Sequence, residues 1–193
     1  MNKEQIVKIF EESGALTVGH FLLTSGRHSS KYIQCAKVFQ YPKYAQQLTK
    51  ELSLAFEDDK VDIVIGPAVG GIILAYEMAR CLNAKSIFSE RENGIMQLRR
   101  GFSILKNSKV LVVEDVVTTG GSVKEVIDLV NSLEGEVVGV GALVDRSNGN
   151  IDFGVRFHSL LTLDIKSYDP DSCPLCEKNI PIIKPGSRKI NGV

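Results

Sequence analysis

Val110-Leu-Val-Val-Glu-Asp-Val-Val-Thr-Thr-Gly-Gly-Ser-Val123 is the stretch on which the reading of this chain turns. Val110 to Val113 is apolar at every position, as in a strand buried on both faces, where no polar alternate is needed. Two carboxylates, Glu114 and Asp115, stand at its C-terminal end. Val116 and Val117 lead into Thr118-Thr119-Gly120-Gly121-Ser122, which opens onto Val123 to Val130, a segment with helical apolar spacing. A strand, a hydroxyl- and glycine-rich turn and a helix N-terminus together form an anion cradle. Glycine permits close backbone approach, the amides point outward, and the helix dipole favours phosphate. Carboxylates repel phosphate, so the acidic pair must serve another part of the ligand, most simply paired sugar hydroxyls. Phosphate and diol side by side describe a phosphorylated ribose.

Outward from this stretch the chain reads as alternating strands and helices. Residues 3 to 13 form an amphipathic helix stopped by Gly14, and Pro42 starts a helix with Ala45, Leu48, Leu52 and Phe56 on one face. Short strands are expected near Phe21 to Thr24 and Lys31 to Cys35, flanking Ser25-Gly26. Val61 to Ile65 is a second buried strand and ends in Gly66-Pro-Ala-Val-Gly70-Gly71, which opens a helix over Ile72 to Leu82. Further strands follow near Ser86 to Phe88, Lys109 to Val113, Glu136 to Val144 and Ser159 to Ile165. This order predicts an α/β fold, a central parallel sheet flanked by helices, with ligand beyond the strand C-termini where both glycine loops fall. The Gly66–Gly71 loop reads either as a second anion site or as a tight turn that lets its helix pack closely.

Composition narrows the class. In 193 residues Lys+Arg and Asp+Glu both number 23, so the formal net charge is zero, and no basic excess points to a nucleic acid or membrane surface. The N-terminus alternates charged and apolar residues where a signal peptide needs an apolar core, which points to a cytoplasmic protein. Cys173-Pro-Leu-Cys176 looks like half a zinc knuckle two donors short, to be completed across a two-fold axis, or a thiol pair in a turn. Cys35, Cys81 and His158 are scattered, and His20, His28 and His158 show no metal spacing, although His28 could touch ligand.

The Val110–Ser122 run resembles the phosphoribosyl-pyrophosphate (PRPP) motif of type I phosphoribosyltransferases: apolar residues, two acids, two apolar residues, then a Thr/Gly/Ser loop. Gly19-His-Phe-Leu-Leu-Thr-Ser-Gly-Arg-His-Ser-Ser-Lys-Tyr-Ile-Gln34 resembles the N-terminal hood of the orotate phosphoribosyltransferases in that family. Leu143-Val-Asp-Arg-Ser-Asn-Gly149 resembles the place where they set an arginine against the pyrimidine carboxylate. The resemblance covers nearly the whole chain and implies one domain over 1–193, with a hood at 1–40, a PRPP-binding core at 60–165 and a tail at 166–193. It implies transfer of ribose 5-phosphate from PRPP to orotate in pyrimidine (UMP) biosynthesis, with Mg2+ held mainly by PRPP. Catalytic roles fall to Glu114, Asp115 and Arg91. PRPP contacts fall to Glu114 through Ser122 together with Gly70, Gly71 and Arg91. Orotate contacts fall to Thr118, Arg146, Ser25 and Gly26.

Phe88 to Phe102, with Arg91, Arg99 and Arg100, resembles the family's mobile loop, which often reaches a neighbouring subunit's site and so implies a homodimer. The alternative for this segment is an exposed β-hairpin with solvated arginines. Arg146 could instead pair with Asp145, and the hood could be only a hairpin held by Ser25-Gly26. The chain departs from the family pattern at Thr24 and Gly70, where lysines are usual, and in a shorter loop bearing arginines. A purine or xanthine phosphoribosyltransferase would share the core and differ at the hood and Arg146. A PRPP-sensing regulator would bind PRPP without turnover.

Overall fold

A computed structural model describes residues 1–185 of the chain; the last eight positions of the tail, 186–193, lie outside the described residues. The main sheet has six strands in the order β5-β4-β3-β6-β7-β8: β3 (Ile63–Pro67), β4 (Lys85–Glu92), β5 (Ile95–Leu98), β6 (Lys109–Val117), β7 (Glu136–Asp145) and β8 (Phe157–Thr162). All neighbours run parallel except β4 and β5, so the sheet is mixed where the sequence alone suggests a parallel one. The reversal occurs at Asn93-Gly94, both with positive φ, the dipeptide that suits a two-residue hairpin. The middle of the Phe88 to Phe102 segment is therefore a hairpin, and its three arginines are ion-paired, not solvated singly.

The apolar run of β6 is divided between two cores. Leu111 and Val113 pack with Ile6 and Phe10 of α1 (Lys3–Glu12), Leu48 and Leu52 of α2 (Pro42–Ser53), and Leu74 and Met78 of α3 (Gly70–Leu82). Val110 and Val112 face the other way, onto Val123, Val126 and Val130 of α4 (Gly121–Ser132). Both faces are covered, which is why no polar alternate interrupts the run. Each such side chain contributes about 1.5–3 kcal/mol by leaving water.

A second sheet of three strands stands apart from the first, in the order β1-β2-β9: β1 (Leu16–Leu22), β2 (His28–Ile33) and β9 (Ser167–Tyr168). The hood thus takes its third strand from the tail. Arg27 joins the two, with Nε donating to Ser167 Oγ at 2.9 Å, Nη2 to the Ser167 carbonyl at 2.9 Å and Nη1 to Asp169 at 2.9 Å. After α5 (Pro174–Glu177) the chain returns along β1, where the Ile183 amide donates to the His20 carbonyl at 2.8 Å and the Leu22 amide to the Ile183 carbonyl at 2.9 Å.

The turn from β3 into α3 depends on absent side chains. A Cβ on Gly66 would stand 2.4 Å from the Gly71 carbonyl oxygen, inside contact distance of rigid backbone. Gly66→Ala is therefore expected to lower unfolding free energy by about 1–3 kcal/mol in urea titrations, the usual cost of forcing atoms into a filled space.

Candidate active site

The β6 strand runs further than its apolar stretch, to Val117, so Glu114 and Asp115 lie within its last pleats and their faces are fixed by the ladder to β7. Thr118 and Thr119 then bend the chain, and Gly120, at φ +75°, turns it into α4. Glycine is required at 120 twice over: by that φ, and because a Cβ would meet Phe153 at 2.9 Å and Ile151 at 3.1 Å. The amides of Thr118, Thr119 and Gly120 donate to no other backbone group in the structure. Those of Gly121, Ser122 and Val123 belong to the first helical turn and have no intrahelical partner, and no side chain caps the end. Six consecutive donors thus face outward at the positive end of a helix dipole.

The Gly66–Gly71 loop comes to the same edge of the sheet. A Cβ on Gly70 would stand 2.8 Å from the Asp115 carboxyl group, so the missing side chain is what lets the loop close against the acid. Gly71 packs on Gly66, leaving Val69 exposed at the tip. Close packing and an open loop tip coexist here. Burial raises the pKa of Glu114 to about 8, with the neighbouring Asp115 charge pushing the same way and Arg91 opposing it. Asp115 is also raised by burial, against the pull of the Val116 amide, which donates to its Oδ1 at 2.8 Å. Glu114 Oε2 is buried with no hydrogen-bond partner. An orphaned acceptor beside an anion cradle is unfinished until a ligand hydroxyl or a metal-bound water reaches it.

Arg91, on β4, leans over the start of α4. Its Nη2 lies 3.2 Å from Ser122 Oγ, and its Nε and Nη2 bond to Glu125 at 3.0 and 2.9 Å. Arg99 pairs with Glu92 at 3.1 Å and Arg100 with Glu90 at 2.8 Å, so these two are tied within the hairpin. Of the three, Arg91 is the one the fold brings to the cradle.

Arg146 follows β7 and its amide donates to the Val117 carbonyl at 2.8 Å, next to Thr118. It does not pair with Asp145. That carboxylate is buried and accepts from the Ser147 amide at 2.7 Å, Ser147 Oγ at 2.6 Å and the Gly149 amide at 3.1 Å. Among the described residues Arg146 forms no ion pair, and its Nε is buried without a partner. Burial lowers its pKa, with Cys35 and Tyr32 acting the other way. Burial pushes the Cys35 thiol up, with Asp115 and Glu114 adding to the rise and Arg146 opposing it, so both acids and the arginine lie within electrostatic reach of that thiol. Ser25 and Gly26 form the tip of the β1–β2 hairpin, where Gly26, at φ +78°, donates to the Leu23 carbonyl at 2.9 Å.

The remaining candidates fall elsewhere. Cys173 and Cys176 are free thiols, and beside them lie His20 and His28, which sequence spacing does not connect with them. His28 Nδ1 faces this cluster, 3.0 Å from His20 Nε2 and 3.3 Å from Cys176 Sγ.

Residues 37–153 match the family model described as the phosphoribosyl transferase domain. The chain belongs to that family. It is 60% identical over 189 residues, 98% of its own length and 100% of the relative's, to the orotate phosphoribosyltransferase of Thermoanaerobacter sp. (strain X514). The crystal structure of orotate phosphoribosyltransferase from Aeropyrum pernix matches with a TM-score of 0.66 at 29% identity, over 82% of this chain and 93% of that one. Adenine phosphoribosyltransferase from Rhodothermus marinus shares the fold with a TM-score of 0.59 at 24% identity, over 69% of this chain and 87% of that one.

The buried acids make stability depend on pH. Between 4.5, where Glu114 titrates in the unfolded chain, and about 8, where it titrates in the fold, the folded state holds the extra proton. Stability of the ligand-free protein therefore falls as pH rises through that window. Urea unfolding midpoints measured across it should show a shallower fall in Glu114→Gln than in the unaltered chain.

Proposed function

We propose that this chain is an orotate phosphoribosyltransferase: it transfers the ribose 5-phosphate of PRPP to orotate, giving orotidine 5-monophosphate and pyrophosphate. The observation that carries this reading is Arg146. A half-buried guanidinium with no ion pair, set beside an anion cradle, is costly unless a ligand carboxylate completes it, and orotate is a nucleobase that carries one.

In this reading the amides of Thr118 to Ser122, with the adjoining hydroxyls, hold the 5-phosphate at the head of α4. Glu114 and Asp115 accept from the ribose hydroxyls, and Val116 and Val117 carry the backbone that sets their spacing. The loop through Gly70 and Gly71 receives the pyrophosphate, with Arg91 supplying positive charge over it. Thr118 and Arg146 fix the base, and the hood, with Ser25 and Gly26, covers it. The C–O bond to pyrophosphate breaks, the electron pair leaves with the pyrophosphate, and the orotate ring nitrogen forms the new bond to the anomeric carbon. As positive charge grows on the sugar, the carboxylates of Glu114 and Asp115 stabilise it. Aligning the two substrates and keeping water out supplies the rest, with no protein nucleophile. The orphaned Glu114 Oε2 fits magnesium-bound water as well as it fits a hydroxyl. Bound with PRPP, Mg2+ would neutralise the leaving pyrophosphate.

The same reading extends to a homodimer. Val69, Ile73 and Tyr76 recur at helical spacing at the start of α3 and are exposed, as is Ile95 at the hairpin tip. Such a stripe is what a second copy would cover, with the β4–β5 hairpin reaching the partner's site. Among the described residues no helix is long and apolar enough to cross a membrane. Four free cysteines agree with a reducing, cytoplasmic setting. We treat the chain as one domain in which hood and tail share a sheet.

Two measurements test this. Mixing protein, Mg2+ and PRPP with orotate, uracil, adenine or xanthine should consume orotate alone. Arg146→Ala should then lower kcat/KM for orotate about 10²- to 10³-fold, the cost of removing one partner of a buried charged pair, with PRPP affinity kept. Turnover of a purine, or PRPP binding without turnover, would overturn the assignment. Sedimentation should find a dimer that Tyr76→Asp shifts toward monomer.

A further inference from the structure

We propose that His20, His28, Cys173 and Cys176 bind one structural Zn2+ ion that fastens the tail to the hood. The donor atoms of these four side chains lie within 4.8 Å of one another, drawn from β1, β2 and both ends of the Cys-Pro-Leu-Cys turn at α5. Their separations have the right size. His20 Nε2 is 3.0 Å from His28 Nδ1, Cys173 Sγ is 3.7 Å from His20 Nε2, and Cys176 Sγ is 3.8 Å from His20 Nε2 and 3.3 Å from His28 Nδ1. Ordinary zinc bond lengths set tetrahedral edges of about 3.3 Å between nitrogens and about 3.6 Å between nitrogen and sulfur. All four separations lie near those edges.

Orientation and charge agree. His20 Nδ1 is 2.7 Å from the Ile180 carbonyl, and only a protonated Nδ1 can donate there, which leaves the Nε2 lone pair facing the cluster. A ligating histidine is commonly held in this way by its second nitrogen. His20, His28 and Cys173 are buried, so an ion of uncompensated charge would be costly there. Two thiolates and two neutral imidazoles around Zn2+ sum to zero, and the two thiol protons leave to solvent on binding. A tetrahedral pair of sulfurs and nitrogens with no open position selects zinc and makes the site structural.

The link also answers a need of the fold. The hood is a sheet of three short strands, and the buried interior around His20, His28 and Ser29 is polar where a larger domain would place apolar side chains. Small units with little apolar core commonly rely on a metal or disulfide. A bond from Cys173 to His20 closes a span of 153 residues, which removes conformational freedom from the unfolded chain. The inference concerns the hood's construction and stands whichever base the enzyme accepts.

Full-length protein purified under reducing conditions, without chelator, should contain one zinc per chain by elemental analysis. Replacement by Co2+ should produce intense tetrahedral ligand-field bands together with a thiolate-to-cobalt charge-transfer band. Stripping the metal should lower Tm and expose the tail to proteolysis, and adding Zn2+ back should reverse both. His20→Ala and the double variant Cys173→Ser, Cys176→Ser should lose the zinc, while Cys81→Ser keeps it. Unaltered protein with reduced thiols that takes up neither Zn2+ nor Co2+ would overturn the proposal, even where the variants fail to fold. So would cobalt binding without a thiolate band, or a Cys173–Cys176 disulfide that persists under reducing conditions.

Discussion

Asp115 resting on Gly70 is the contact around which the rest of the site is arranged. No side chain can stand between them, since a Cβ at 70 would fall 2.8 Å from the carboxyl group. This contact draws the end of β6 against the loop that starts α3, and parallel pairing of β3 with β6 puts both loops at one edge. Two carboxylates are thereby held in a half-buried place between two glycine-containing turns. Their raised pKa values measure the cost. A site in which acids are kept from water, one carboxylate oxygen lacks a donor and one arginine lacks an acid is less stable empty than filled. Binding energy from PRPP and the base can therefore go into completing hydrogen bonds already in position, without reorganising the chain.

Much of this was legible from residues 110–130, because a fully buried strand, an acidic pair and a glycine turn each have a local signature. Glu114 and Asp115 stand where the strand–turn–helix pattern puts them, and Arg146 lies beside Thr118, since the loops after β6 and β7 are neighbours in a parallel sheet. The extension of β6 to Val117 was hidden because strand ends carry no residue signal once the apolar run stops. Asn93-Gly94 did carry a signal, the hairpin dipeptide, and it fixes where the arginine segment reverses. The metal-type cluster was out of reach of spacing rules altogether. Its histidines lie on two strands of a hairpin and its cysteines some 150 residues later, and the pairing of β2 with β9, with the return of the chain along β1, brings the ends together. A Cys-x-x-Cys pair in a tail whose neighbouring strand joins a hairpin carrying two histidines is the pattern to look for.

Charge is distributed by the same logic. The chain has no net charge, yet its ligand would carry phosphate, pyrophosphate and carboxylate groups. In the proposed reading, anions would be held by the uncapped amides at the head of α4, which add no formal charge, and by a few arginines placed singly. Arg91 is held by Glu125 while its Nη2 remains against Ser122, so it is oriented before any phosphate arrives. Arg99 and Arg100 are matched by Glu92 and Glu90 on the hairpin and so leave little excess potential at the surface. Dipoles at fixed positions need no reorganisation when charge moves from sugar to leaving group. An array of mobile lysines would have to be ordered each time.

The hood presents the opposite problem. Its strands reach the main core at one end, where Leu16 and Ile33 pack with Ile6, Phe10 and Leu48, and are joined to the tail at the other by polar links. Arg27 alone contributes three hydrogen bonds to the tail, and Ser29 Oγ donates a further one to the Lys166 carbonyl at 2.9 Å. Each such bond is worth only about 1 kcal/mol in net stability. Hydrogen bonds of that size specify where the sheet sits but leave it easy to open. A four-ligand metal centre at the same end of the sheet, where His28 lies between Arg27 and Ser29, would add a much stronger tie to these bonds. The tail is thereby part of the hood's construction: it supplies a strand, the acceptors for Arg27 and Ser29, and two of the four clustered donor side chains.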